Sequence, residues 1–195
     1  MLQNTTIDSQ KLKQKAKNIA YKYLAKYSTS KNNLAKHLLK KMHQYYKAEL
    51  IENEPLNTEL KKITTEVINY LVDLGYLNDA TYTKQQSIKF IKSGKSYLHI
   101  SYKLKEKGVS EEQIKTILNY YNKEDVELLA ALKYLKKKSF GAYRKKNFDD
   151  KQKNKEINAL GRNGFNFETI NKVLKYSNAQ EIDEIINKLQ KQIDD

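Results

Sequence analysis

No cysteine occurs among the 195 residues. That removes disulfides, thiolate nucleophiles and cysteine metal sites together, and it fits a reducing compartment. One proline and six glycines are too few for a β-rich chain punctuated by tight turns. No apolar stretch approaches the roughly 18 residues that cross a bilayer, and the opening MLQNTTIDSQKLKQ lacks the apolar run of a signal peptide. The chain reads as a cytoplasmic protein without membrane attachment. Its three histidines, His37, His43 and His99, form no i, i+4 pair, so no zinc site is expected. SGKS at 93–96 has the tail of a phosphate loop. However, Lys89 stands where that motif needs a glycine, and no strand precedes it. Glu111–Glu112 and Asp149–Asp150 are neighbours in sequence only: the first pair suits a helix start and the second a polar loop. No catalytic residue, metal ligand or cofactor is expected, and the protein is not expected to be an enzyme.

Positive charge is what the chain has in excess. The net charge is +14, and nearly all the basic residues are lysine. Residues 1–50 carry 11 basic and 2 acidic side chains, and residues 134–164 carry 10 and 3. The stretch between them, 51–133, is balanced, and residues 165–195 are slightly acidic. Two basic blocks around a neutral middle suit a polyanion or an acidic protein face, while scattered surface lysine also serves solubility.

Helical periodicity accounts for the rest. Leu12, Ala16, Ile19, Tyr23 and Tyr27 step by three or four, as do Leu34, Leu38 and Met42. Leu60, Ile63, Val67, Leu71 and Leu74 make a third stripe, which Gly75 ends. Asn78 opens and Gly94 closes a fourth helix, and a fifth ends at Gly108. Ser110 and Gln113 form a capping box for the next. Glu124, Asp125 and Glu127 open a helix that Lys136, Lys137 and Lys138 close, both ends complementing the helix dipole. A last amphipathic stretch carries Ile182, Ile185, Ile186, Leu189 and Ile193.

KEKGVSEEQIKTIL from Lys105 and GRNGFNFETINKVL from Gly161 have the same form at a constant offset of 56. Each has a glycine, an apolar residue, a helix-start residue, then three apolar residues at matched positions. A recurring turn of this kind predicts an all-α chain of tandem three-helix repeats, at 10–75, 76–122 and 123–176, with a closing helix at 178–195. Such units are marginal alone and share a core when stacked, which predicts an elongated, curved array. The turn also has helix-turn-helix form. The residues at its reading end would be Glu111 and Glu112, or Phe167 and Glu168 in the second copy, which suit an anionic groove poorly. Weak, sequence-independent nucleic-acid binding is expected instead, and a basic helical-repeat nucleic-acid-binding protein is one functional reading.

A second reading comes from a resemblance. LGYLND from Leu74 to Asp79, SGKSYLHISYKLKEKGVS from Ser93, and LGRNGFNFETINKVL from Leu160 occur in order through the chain. Leu160, Arg162, Gly164 and Phe165 fit an L-x-R-x-G-F pattern. Over residues 15–176 the chain resembles the RecX family, small bacterial regulators of the RecA recombinase. It departs from the family pattern at Asn78, Ser96 and Asn163, and in using lysine where arginine is usual, which lacks the bidentate geometry of arginine. The resemblance implies a curved array of three-helix repeats lying in the groove of the RecA–DNA filament. There it would inhibit ATP hydrolysis and strand exchange, in recombination, DNA repair and the SOS response. It also implies a monomer without cofactors. Candidate filament contacts are Lys103 and Lys107, one turn apart, with Arg144, Lys145, Lys146 and Arg162. Tyr76, Asp79, Gly108, Gly164 and Phe165 are the candidate structural positions.

Overall fold

The computed structural model describes residues 8–47, 49–50, 53–144 and 149–194, all but the side chain of Asp194. The described residues form α-helices and one short 3₁₀ turn, with no strand among them. In order the helices are α1 (Ser9–Leu24), α2 (Lys31–Tyr45), α3 (Glu54–Asp73), α4 (Asp79–Lys92) and α5 (Tyr97–Glu106). Then follow α6 (Glu111–Tyr120), α7 (Lys123–Lys138), α8 (Asp150–Arg162), α9 (Phe167–Leu174) and α10 (Ala179–Asp194), with the 3₁₀ turn at Gly141–Tyr143. The all-α expectation is met. The chain divides into two compact units: one runs to Tyr82 and takes in Lys107–Val109, and the other comprises Thr83–Glu106 and Ser110–Asp195. The division into three-helix repeats at 10–75, 76–122 and 123–176, with a closing helix at 178–195, is our proposal. Paired junctions, one in each unit, support it.

The first unit is a bundle of α1, α2 and α3, each packed on the other two. Its core joins Leu12, Ala16 and Ala20 of α1 to Leu34, Leu38 and Met42 of α2, with Leu56, Leu60, Ile63, Val67 and Leu71 of α3. Burying a leucine or isoleucine side chain contributes roughly 1.5–3 kcal/mol. The α1 stripe runs through Ala20, which the periodicity missed, and not on to Tyr27. Tyr27 lies beyond the last turn and is 57% exposed. Leu74, expected at the end of the α3 stripe, is the C-cap residue and 51% exposed; Leu77 is buried in its place. Ser30 and Asn53 cap α2 and α3 with their side chains, and Pro55 sits inside the first turn of α3, where its missing N–H costs nothing.

The second unit is built around α7. Val126, Leu129, Ala130, Ala131, Leu132 and Leu135 are all buried, so α7 is enclosed on most of its circumference by α5, α9 and α10. Ile182, Ile186 and Leu189 are the buried face of α10. Ile100 and Leu104 of α5 point inward as expected, and the Ser110–Gln113 capping box forms at α6. Asp183 of α10 accepts from the Lys136 ammonium at 2.8 Å and from the Tyr143 hydroxyl at 2.5 Å.

Candidate functional site

The N-terminus of α2 is finished by residues far along the chain. Ser30 Oγ accepts from the Asn33 N–H at 3.2 Å and donates to the Lys107 carbonyl at 2.5 Å. The Lys31 N–H, an orphan at a helix start, donates to Asp79 Oδ1 at 2.8 Å. Gly108 follows Lys107 with φ +76°, and a Cβ there would stand 3.2 Å from Asn32 Cβ, Asn33 N and Ser30 Oγ. Only glycine suits both that φ and that approach.

The N-terminus of α5 repeats the construction inside the second unit. Ser96 Oγ accepts from the His99 N–H at 3.2 Å and donates to the Asn163 carbonyl at 2.7 Å. The Tyr97 N–H donates to Glu127 Oε1 at 2.8 Å. Gly164 has φ +83°, and a Cβ would lie 2.9 Å from Ser96 Oγ. The two serines are 66 residues apart and the two glycines 56. The recurring turn therefore has a physical role: its penultimate carbonyl receives a capping serine, and its glycine lets that serine approach. Glu127 was expected to complement the helix dipole from the surface. It is buried, and its Oε2 lacks a hydrogen-bond partner. Burial raises its pKa, against the opposing influence of the Tyr97 N–H and Lys123.

The candidate structural positions divide. Asp79 and Phe165 are buried, the first as a helix-end acceptor and the second beside the Tyr134 ring at 6.1 Å. Tyr76 is 59% exposed and meets Tyr21 edge-on at 5.8 Å, so it is a surface residue and not a core one.

The candidate contact residues are not equivalent either. Lys103 pairs with Glu106 at 2.6 Å on the surface of α5. Lys107 directly follows the last residue of that helix. Arg144 was expected on a solvated polar segment. Its guanidinium is bound in bidentate fashion, Nε and Nη2 each 2.7 Å from an oxygen of fully buried Glu156. Burial would raise the Glu156 carboxyl. Arg144, the Gly141 N–H and Gln152 outweigh it and hold the group below the usual carboxylate range. Reversing Arg144 would set two carboxylates against each other, so Arg144 is unsuited to the role of a dispensable rim cation. Lys145 and Lys146 lie outside the described residues. Arg162, the last residue of α8, is exposed and has no ion pair among the described residues.

The sequence singled out no lysine of this region as a contact. Lys36, Lys40 and Lys47 line a shallow depression with Leu39, His43 and Gln44, and no carboxylate among the described residues borders it. Three lysines of α1 are engaged otherwise: Lys13 pairs with Glu66 at 2.7 Å, while Lys15 and Lys17 sit over the Tyr45 and Tyr70 rings. A spacing of i, i+4, i+11 was the available signal. It puts Lys36 and Lys40 one turn apart on α2, and Lys47 two residues beyond the end of the helix.

No family model matches the chain. Relatives named regulatory protein RecX do. That of Agrobacterium fabrum is 31% identical over 129 residues, covering 66% of this chain and 67% of the relative. That of Vibrio cholerae is 29% identical over 154 residues, covering 79% and 97%. That of Myxococcus xanthus is 28% identical over 158 residues, covering 80% and 82%. The fold matches the crystal structure of RecX from Lactobacillus salivarius with a TM-score of 0.62 at 19% identity, covering 90% of this chain and 99% of that one. At its level of identity the Agrobacterium relative, two thirds of whose length this chain covers, settles the assignment: the chain belongs to the RecX family.

Proposed function

We propose that this protein binds the filament that RecA forms on single-stranded DNA and modulates RecA, mainly by inhibiting its ATP hydrolysis and strand exchange. The observation that carries the reading is family membership, since the relatives are named regulatory proteins. The action we propose is non-enzymatic: a protein that binds one state of the filament better than another shifts the balance between them by its differential affinity alone. It works as a cytoplasmic monomer without a cofactor, and binds DNA weakly and without sequence preference. The lysine face of α2 and the exposed Arg162 supply attraction toward an acidic groove with DNA nearby. Lys103, Lys107, Lys145 and Lys146 remain part of the proposed contact surface, with Arg144 supporting it from within.

The test is RecA ATPase on single-stranded DNA, with strand exchange measured beside it. The expected result is a lower rate of both on adding this protein, with less inhibition by a variant carrying Lys36→Glu, Lys40→Glu and Lys47→Glu. Untouched ATPase and strand exchange would overturn the reading. Binding to DNA with RecA unaffected would favour the alternative, a basic helical nucleic-acid-binding protein without a RecA partner.

A further inference from the structure

A cavity of about 270 Å³ lies in the second unit, where the turn between α4 and α5 meets the end of α7. It has room for several waters. Lys95 comes from the turn, and Lys133, Lys137 and Lys138 from α7. No aspartate or glutamate among the described residues lines it. Lys133 is held in place by donating to the Lys92 carbonyl at 2.6 Å. Lys95, Lys137 and Lys138 have no carboxylate partner among the described residues. His99, from the first turn of α5, also lines the cavity, and its Nε2 is buried without a hydrogen-bond partner. Its imidazole is held toward the neutral form by burial first, then by the charges of Lys95 and Lys103, against Glu106. In the Nε2–H tautomer a neutral imidazole still has a proton to donate.

The ammonium groups of Lys95, Lys137 and Lys138 share this cavity without a carboxylate partner among the described residues, and like charges repel one another. Lysines in a last helical turn also answer the helix dipole, which accounts for Lys137 and Lys138 on α7. It does not account for Lys95, which comes from a turn, or for the orphaned imidazole. The ends of α4 and α8 do bring carbonyls near. Each helix end amounts to about half a charge, against the full charge of each of those three lysines. The close of α4 is moreover internally satisfied, with the Gly94 N–H on the Ile91 carbonyl and the Lys95 N–H on the Phe90 carbonyl. We propose that this cavity binds a phosphate-bearing ligand, two linked phosphates being the best match to four ammonium groups. The same chemistry is offered by inorganic diphosphate, by a nucleoside triphosphate and by the phosphorylated end of a nucleic-acid strand.

The proposal goes beyond the filament reading and is tested without RecA, so either fails independently of the other. Inorganic diphosphate is titrated into the full chain while the imidazole resonances of its three histidines are followed. The expected result is saturable binding that shifts His99 and leaves His37 and His43 in place. A Lys95→Ala/Lys137→Ala variant is expected to bind about tenfold more weakly, and a Lys188→Ala/Lys191→Ala control, at two exposed lysines of α10, as tightly as the parent. Absence of saturable binding overturns the proposal. So does an equal response of all three histidines with equal weakening in both variants, which would mean diffuse surface attraction. Because the His99 signal is read on the unaltered protein, misfolding of a variant does not remove the test. Competition by ATP, and by oligothymidylate with and without a 5′-phosphate, then assigns the source of the phosphate.

Discussion

Glu156 and Glu127 are buried carboxylates whose surroundings push them in opposite directions. Glu156 is held below its ordinary value, so the stability it contributes is present above that value and lost as pH falls through the folded pKa. Glu127 is raised, so its contribution is present below the ordinary value and lost as pH rises through the folded pKa. Glu156→Gln is therefore expected to destabilise near pH 7, with the difference from the parent narrowing at about pH 4 and below. Glu127→Gln keeps an acceptor for the Tyr97 N–H and is expected to stabilise near pH 7, an advantage that also shrinks in acid. Urea midpoints of the two variants across that range check both signs. Arg144→Gln is expected to cost about 3 kcal/mol, because it strands a buried carboxylate. An exposed arginine on a polar segment would cost almost nothing.

The paired junctions act at the scale of whole helices. Ser30→Ala and Ser96→Ala each remove a helix cap, at about 1 kcal/mol, and strand the carbonyl of Lys107 or Asn163. Faster amide exchange at residues 31–33 in the first variant and 97–99 in the second is the expected signature. Gly164→Ala is expected to exceed the roughly 1–2 kcal/mol of a left-handed Cβ alone, since that Cβ would meet Ser96 Oγ at 2.9 Å. Helices and turns were legible in the sequence because their signals are local: periodicity, a capping box, a glycine at the end of a helix. The turn around Gly108 and Gly164 could be seen as a repeat. Its partners could not, because Ser30 lies 77 residues from Lys107 and nothing local marks the pairing. Arg144 failed as a surface candidate for the same reason, its partner Glu156 being a residue of the next helix that local pattern left unassigned. Composition marks residues 1–50 as basic, but not which of those lysines meet an acid or an aromatic ring in the fold.

For the molecule as a whole, the charge that governs partners is the part not already spent internally. Lys13, Lys103, Lys136 and Arg144 are paired with carboxylates, while Lys36, Lys40 and Lys47 border no acid among the described residues of their depression. Affinity for single-stranded DNA is expected to fall steeply with salt. Replacing these three lysines with alanine is expected to flatten the log–log slope by about 2, at roughly 0.7 per neutralised phosphate. Filter binding at several salt concentrations reads the slope directly. The same unit has a consequence in time. Its boundary closes at Tyr82, yet it takes in Lys107–Val109, 25 residues further on. A chain emerging from the ribosome at about 5–20 residues per second delivers that segment about one to five seconds late. Until then the Ser30 hydroxyl caps α2 without the carbonyl to which it donates, and the first bundle exists as a structure waiting for its own keystone.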